Sequence, residues 1–210
     1  VFDGVVRRQR QMCIRVIVSR YLIFCLLLLA APTLSAQDFV DVDKSPLDAA
    51  YYPTRAAFRA FAKTDSAAVA MEPKIKVLYS RPFKKGREVW GGDLAPYGKP
   101  YRLGANETTE ITFFTSVKIG NHVVPAGSYT MGAIPDADSW KVFFSLDLDG
   151  WGVYAYKPEH SVATITVPTA KVEDVIENFS VSLYEPTPGT VHLKMGWDTT
   201  VVEIPIELLK

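Results

Sequence analysis

Between Lys74 and Arg102 the chain sets eight cations, Lys74, Lys76, Arg81, Lys84, Lys85, Arg87, Lys99 and Arg102, against only Glu88 and Asp93. Aromatic rings interleave them at Tyr79, Phe83, Trp90, Tyr97 and Tyr101. Planar guanidinium forks beside flat rings suit carboxylates, phosphates and sugar faces. Asn106 and Glu107 follow, adding an amide and a hydrogen-bond acceptor. The candidate ligand-binding set is therefore Arg81, Lys85, Arg87, Arg102, Asn106 and Glu107, with Trp90 and Tyr97 as walls. A plainer reading uses the same residues. Lys74 and Lys76 guard the solvent face of a strand, Lys84-Lys85-Gly86 makes a turn, and Arg81 and Arg102 are struts against backbone carbonyls or Glu107.

Other chemistry is harder to find. No nucleophile elbow, phosphate loop or dinucleotide fingerprint is present. His122, His160 and His192 are scattered without ligand spacing, so they read as surface or loop histidines and no metal or cofactor is expected. The run DLDLDG invites a calcium test. An EF-hand loop begun at Asp147 would place Trp151 fifth and Pro158 twelfth, where a bidentate glutamate is required. Asp149-Gly150 instead reads as a type I′ hairpin turn. Glu107 and Glu110 are three apart, on opposite faces of a strand, which makes them a poor acid–base pair.

The elements that must position these residues begin after a leader. Arg7, Arg8, Arg10, Arg15 and Arg20 precede the apolar run Tyr21 to Ala31, and Pro32 and small residues lead to a cleavage position after Ala36. That is the pattern of a secretory signal peptide over residues 1–36, with 1–11 as an upstream extension before Met12. The uncharged stretch falls short of the ~20 apolar residues of a membrane span. Cys13 and Cys25 both lie in this leader, so residues 37–210 hold no thiol for a disulfide or thiolate site. Those 174 residues carry 18 basic and 22 acidic side chains, a net charge of −4, which gives no global attraction to nucleic acid. The expected location is periplasmic or secreted, with the membrane met only through the signal peptide.

Residues 37–73 read as a lead-in, with a short helix in TRAAFRAFAK, Thr54 as its N-cap and Phe58 and Phe61 on one face. The alanine-rich tail to Met71 reads as linker. From Lys74 the period changes to two. KIKVLYS, TEITFFTSV, the hairpin VKIGNHVVP, GSYTMGAIP, SWKVFFSL, GVYAY, VATITV, ENFSVSLY, TVHLKMGW and TVVEIPI read as short strands punctuated by Pro, Gly and Asp. Residues 74–210 are expected to form an all-β, antiparallel β-sandwich, of jelly-roll or immunoglobulin-like strand order.

YSRPFKKGREVWGG, LAPYGKPYRLGANETTEITF, VPAGSYTMGAIP and SWKVFFSLDLDGWGVYAY closely resemble the bacterial domain-of-unknown-function family 2911, over roughly Asp43 to Ile206. The resemblance implies exported β-rich domains with hallmark polar positions at Ser80, Arg81, Lys85, Arg87, Arg102, Asn106, Glu107 and Thr109. It brings no activity or cofactor with it. Relatives tend to show Asp and Arg where this chain has Ser161 and Thr164. The leading expectation is a non-catalytic binding module for an anionic small molecule or a glycan. Two alternatives stand beside it: an envelope carbohydrate hydrolase using Glu107 as acid or base, and a structural or interaction domain whose arginines are buried struts.

Overall fold

In Ile75–Ser80, strand β2, alternate side chains go inside: Ile75, Val77 and Tyr79 are buried while Lys76 and Leu78 are only half covered. The same period-two pattern builds β3 (Thr109–Phe113), the β4–β5 hairpin (Val117–Ile119 and His122–Val124, turning at Gly120-Asn121), β6 (Gly127–Pro135) and β7 (Ser139–Ser145). The computed structural model describes residues 38–154 and 156–209, so the signal-peptide reading lies outside the described residues. Val42–Lys210 form one compact unit; of Val1–Asp41 only residues 38–41 are described, without regular structure.

The class is all-β and antiparallel. Nine strands join in one hydrogen-bonded sheet, in the order β1-β2-β3-β6-β7-β8-β9-β4-β5, where β1 is Leu47–Tyr52, β8 is Ser161–Thr187 and β9 is Thr190–Leu208. β8 pairs with β7 through Ser161–Pro168 and with β9 from Thr169 onward, handing the chain from one half of the sheet to the other. Inward residues of both halves, including Phe113, Trp140, Ile119, Trp197 and Ile206, belong to one hydrophobic cluster.

β9 is folded back on itself. A straight strand would hold residues eleven apart about 36 Å from one another, yet His192 Nδ1 and Glu203 Oε2 are 3.1 Å apart. The amide of Leu208 donates to the carbonyl of Gly189 at 2.8 Å, and the turn lies at Asp198, whose φ is +56°. Val191, Leu193, Met195 and Trp197 are all buried, as their alternation indicates, and the second arm carries the sheet on to β4.

Several sequence expectations are corrected. The N-terminal segment contributes a strand, β1 (Leu47–Tyr52), paired along its whole length with β2. TRAAFRAFAK forms a 3-10 helix over Ala56–Phe61 with no side-chain cap, and Phe58 and Phe61 are 56% and 82% exposed. They find no groove to enter, so the amphipathic reading fails there. The alanine-rich tail is instead an α-helix, α1 (Asp65–Ala70), because the Thr64 hydroxyl accepts the Ala67 amide at 3.2 Å. VATITV and ENFSVSLY lie in one strand, as do TVHLKMGW and TVVEIPI. The GVYAY stretch is no strand: Trp151 makes a bridge and Gly152 to Tyr154 turn. Asp149 takes φ +56° but Gly150 does not go positive, so Asp149-Gly150 is not a type I′ turn. It lies inside a longer connection from β7 to β8.

Phe143 faces away from the main cluster and is still fully buried. Its ring stacks on Tyr156 at 3.8 Å and crosses Gly132, where a Cβ would come within 2.3 Å of the ring. The β7–β8 connection is thus anchored on the outside of the sheet by one aromatic stack. The exposed part of that connection stands beside the loop that carries Arg102.

Candidate functional site

The eight side chains singled out in the sequence go to different places. Arg81, at the end of β2, is a strut. Its guanidinium donates to Asp48 Oδ2 at 3.0 Å, to Ser180 Oγ at 3.1 Å and to the Phe179 carbonyl at 3.3 Å, tying β1 to β8. Trp90 is no wall of a ligand site. It is 7% exposed, stacks on Trp140 at 4.3 Å and donates its indole N–H to the Trp197 carbonyl at 3.0 Å. Tyr97 is exposed, and its ring covers Gly91, whose absent side chain makes room for it. Lys85 and Arg87 are exposed in the turn after β2. Arg87 donates to the Lys84 carbonyl at 2.9 Å and to the Phe83 carbonyl, and Lys84 pairs with Asp198 at 3.4 Å.

Arg102, Asn106 and Glu107 come together at a different place, the loop before β3. Gly152 sits in the middle of the arrangement. Its amide donates to the Asn106 carbonyl at 2.9 Å, and a Cβ there would lie 2.9 Å from Arg102 Nη1 and 3.0 Å from the Tyr154 ring. Glu107 bridges backbone to Trp151, and Thr108 donates its hydroxyl to the Gly150 carbonyl at 2.7 Å. The loops leave Trp151 60% and Tyr154 86% exposed.

The polar groups here differ from those of the basic turn. Among the described residues Arg102 has no hydrogen-bond or ion-pair partner, and its Nε is buried and unsatisfied. The side chains of Asn106 and Glu107 likewise make no hydrogen bond to a described residue. Backbone strain gathers around them: Leu103, Asn106 and Asp149 all take positive φ, at +54°, +58° and +56°. A fully buried leucine in the left-handed region is costly, and such strain concentrates at sites that use the chain's geometry. The Tyr101 hydroxyl beneath donates to the Gly104 carbonyl at 2.9 Å. Burial raises its pKa, against the opposing charges of Arg102 and Arg87.

Sequence reasoning missed one pair nearby. Asp147 Oδ1 and His160 Nδ1 are 2.6 Å apart, and Ser145 donates to Asp147 Oδ2 at 3.0 Å. The His160 hydrogen bond holds the Asp147 carboxyl below its ordinary range. Nothing in a thirteen-residue spacing across a loop announces this contact. The adjoining cavity lined by Asp147 and Tyr156 is about 10 Å³, too small for anything beyond a water molecule. Among the described residues no group of three or more His, Cys, Asp or Glu is placed to hold a metal ion.

A family model described as "Protein of unknown function (DUF2911)" matches residues 62–206. The chain belongs to this family. No curated protein and no solved structure matches it. The DUF2911 match contains the loop before β3, the β7–β8 connection and both arms of β9, and it begins after β1. Arg81 therefore reaches outside the matched segment to hold Asp48. Ser161 and Thr164 open β8 opposite Ser145 and Phe143, next to the same connection.

Proposed function

We propose that this DUF2911 protein is an exported, non-catalytic binding module, periplasmic or secreted, that takes a sugar-like ligand at the loop end formed by Arg102, Asn106, Glu107 and Trp151. The observation that carries the reading is that three hydrogen-bonding side chains on one loop lack partners among the described residues, where the backbone of that loop meets the turn carrying an exposed indole. Sugar hydroxyls both donate and accept, so an arginine, an amide and a carboxylate match them, while a flat indole matches a pyranose face. Glu107, Asp147 and Asp149 lie on these same loops, with Glu110 on the adjoining β3, and they disfavour an anion here. Export rests on the N-terminal basic and apolar pattern.

Titration of the purified protein with a panel of neutral envelope oligosaccharides, read by tryptophan fluorescence, tests the site. Saturable binding that falls at least tenfold in Trp151→Ala is expected. A panel with no binder, or binding equal in wild type and Trp151→Ala, overturns it. Hydrolysis of a bound oligosaccharide that Glu107→Gln abolishes while binding persists replaces the binding module with the hydrolase.

A further inference from the structure

We propose a second, separate site, for a phosphomonoester, in the concavity lined by Lys44, Ser45, Phe83, Lys85 and Arg87. It measures about 340 Å³, the size range of small-ligand sites, and shares no residue with the loop end.

The walls are pre-positioned. The Lys84 amide donates to the Glu177 carbonyl at 2.7 Å and the Lys85 amide to Glu177 Oε1 at 2.8 Å, pinning the turn to β8. Lys85 takes φ +49° in that turn, and its ammonium stands 5.7 Å over the Phe83 ring. Arg87 uses its Nε and one terminal N–H on the turn's own carbonyls. A guanidinium has five N–H groups, so three are left on a plane whose orientation is already fixed. Holding donors in place before the ligand arrives removes an ordering cost from binding.

The charges favour a dianion. Three cations, Lys44, Lys85 and Arg87, line the concavity, and no carboxylate does. The Glu177 carboxylate accepts the Lys85 amide, Asp43 accepts the Ser45 amide at 2.6 Å, and Asp48 is held by Arg81. Glu88, exposed on the next residue, is the remaining carboxylate of the turn. A carboxylate ligand brings one charge and two acceptor atoms. A phosphomonoester brings close to two charges and three acceptor oxygens, which matches two ammoniums, a guanidinium and the Ser45 hydroxyl. A concavity lined by five residues suits a small phosphorylated molecule rather than a nucleic-acid backbone, which needs an extended basic track.

The test uses the purified protein with inorganic phosphate, glucose 6-phosphate, glucose, and vesicles containing phosphatidic acid. Glucose 6-phosphate is expected to bind saturably, to compete with inorganic phosphate and to weaken as salt rises. The double variant Lys85→Met, Arg87→Gln should lose at least tenfold in affinity, and circular dichroism should show that it is folded. Trp151→Ala should bind the phosphate compounds as wild type does, which separates this site from the sugar-binding reading. Vesicle capture competed by glucose 6-phosphate supports the site and assigns it to a lipid headgroup. Absence of saturable phosphate binding, equal binding by the double variant, or vesicle capture that glucose 6-phosphate does not compete overturns the proposal.

Discussion

Two regions of this molecule hold arginines beside aromatic rings, and they use them oppositely. At the end of β2, Arg81 makes three contacts with β1 and β8, and Trp90 lies under Trp140. In the loop before β3, Arg102 has no partner among the described residues, and the neighbouring Trp151 projects into solvent. Residue type does not separate the two cases. What separates them is whether the backbone around the side chain offers acceptors. β8 runs past Arg81 with a carbonyl and a hydroxyl, whereas the Gly150–Gly152 turn presents its groups to Asn106 and Thr108 instead.

The tryptophans give the largest contrast. Trp90→Ala removes a buried ring from the main cluster and should cost about 3–5 kcal/mol, read from chemical denaturation. Trp151→Ala should stay within about 0.5 kcal/mol of wild type. Equal losses would mean that Trp151 is also a core residue. Gly132→Ala comes next. The added methyl meets the Phe143 ring and should destabilise by about 1–3 kcal/mol, with loss of the Phe143–Tyr156 stack in near-ultraviolet dichroism. Arg81→Ala leaves Asp48 and the Phe179 carbonyl without their donor. It should cost about 1–2 kcal/mol, moderated by partial exposure. Arg102→Gln should cost less than that, because it breaks no protein contact. The reverse order would turn Arg102 into the strut.

The smallest effects are those of acid. Glu203 is held at about 2, against an ordinary 4.5, first by the Tyr184 hydroxyl and then by His192 and Lys194. A lowered carboxyl contributes stability that is complete above its ordinary pKa and is lost as pH falls through the folded value. Glu203→Gln should therefore flatten the stability profile between about pH 4.5 and 2. Asp147 has the same sign through His160. His160→Ala should trim the acid-side loss below the ordinary Asp147 value of 3.8, inside the Glu203 window, so the two contributions separate only when it is measured in the Glu203→Gln background.

The strands whose faces differ in polarity were legible in the sequence. Ile75, Val77 and Tyr79, or Val191 to Trp197, point inward because alternation leaves them no other side to bury. β1 was not legible, since LDAAYY has two adjacent alanines and two adjacent tyrosines and so no period to read. The length of β8 was hidden for a related reason. KVEDVIEN looks like a loop because its side chains are largely exposed, while its backbone continues the strand. The site was half legible. Arg102, Asn106 and Glu107 are neighbours in sequence and stay neighbours in space. Trp90 was misassigned because an aromatic beside cations looks the same whether it is a wall or a core ring. Trp151 and the Asp147–His160 pair depend on how one connection closes, which no local pattern encodes.

The fold-back of β9 has a consequence in time as well as in space. Its second arm lies between the first arm and β4, with Val117 opposite Leu208, so residues 199–208 occupy the interior of the sheet. A domain built this way cannot close its sheet until residue 208 has been synthesised. During synthesis β4 and the first arm of β9 wait with open edges until that second arm emerges. Deleting residues 199–208 removes an internal strand of the sheet.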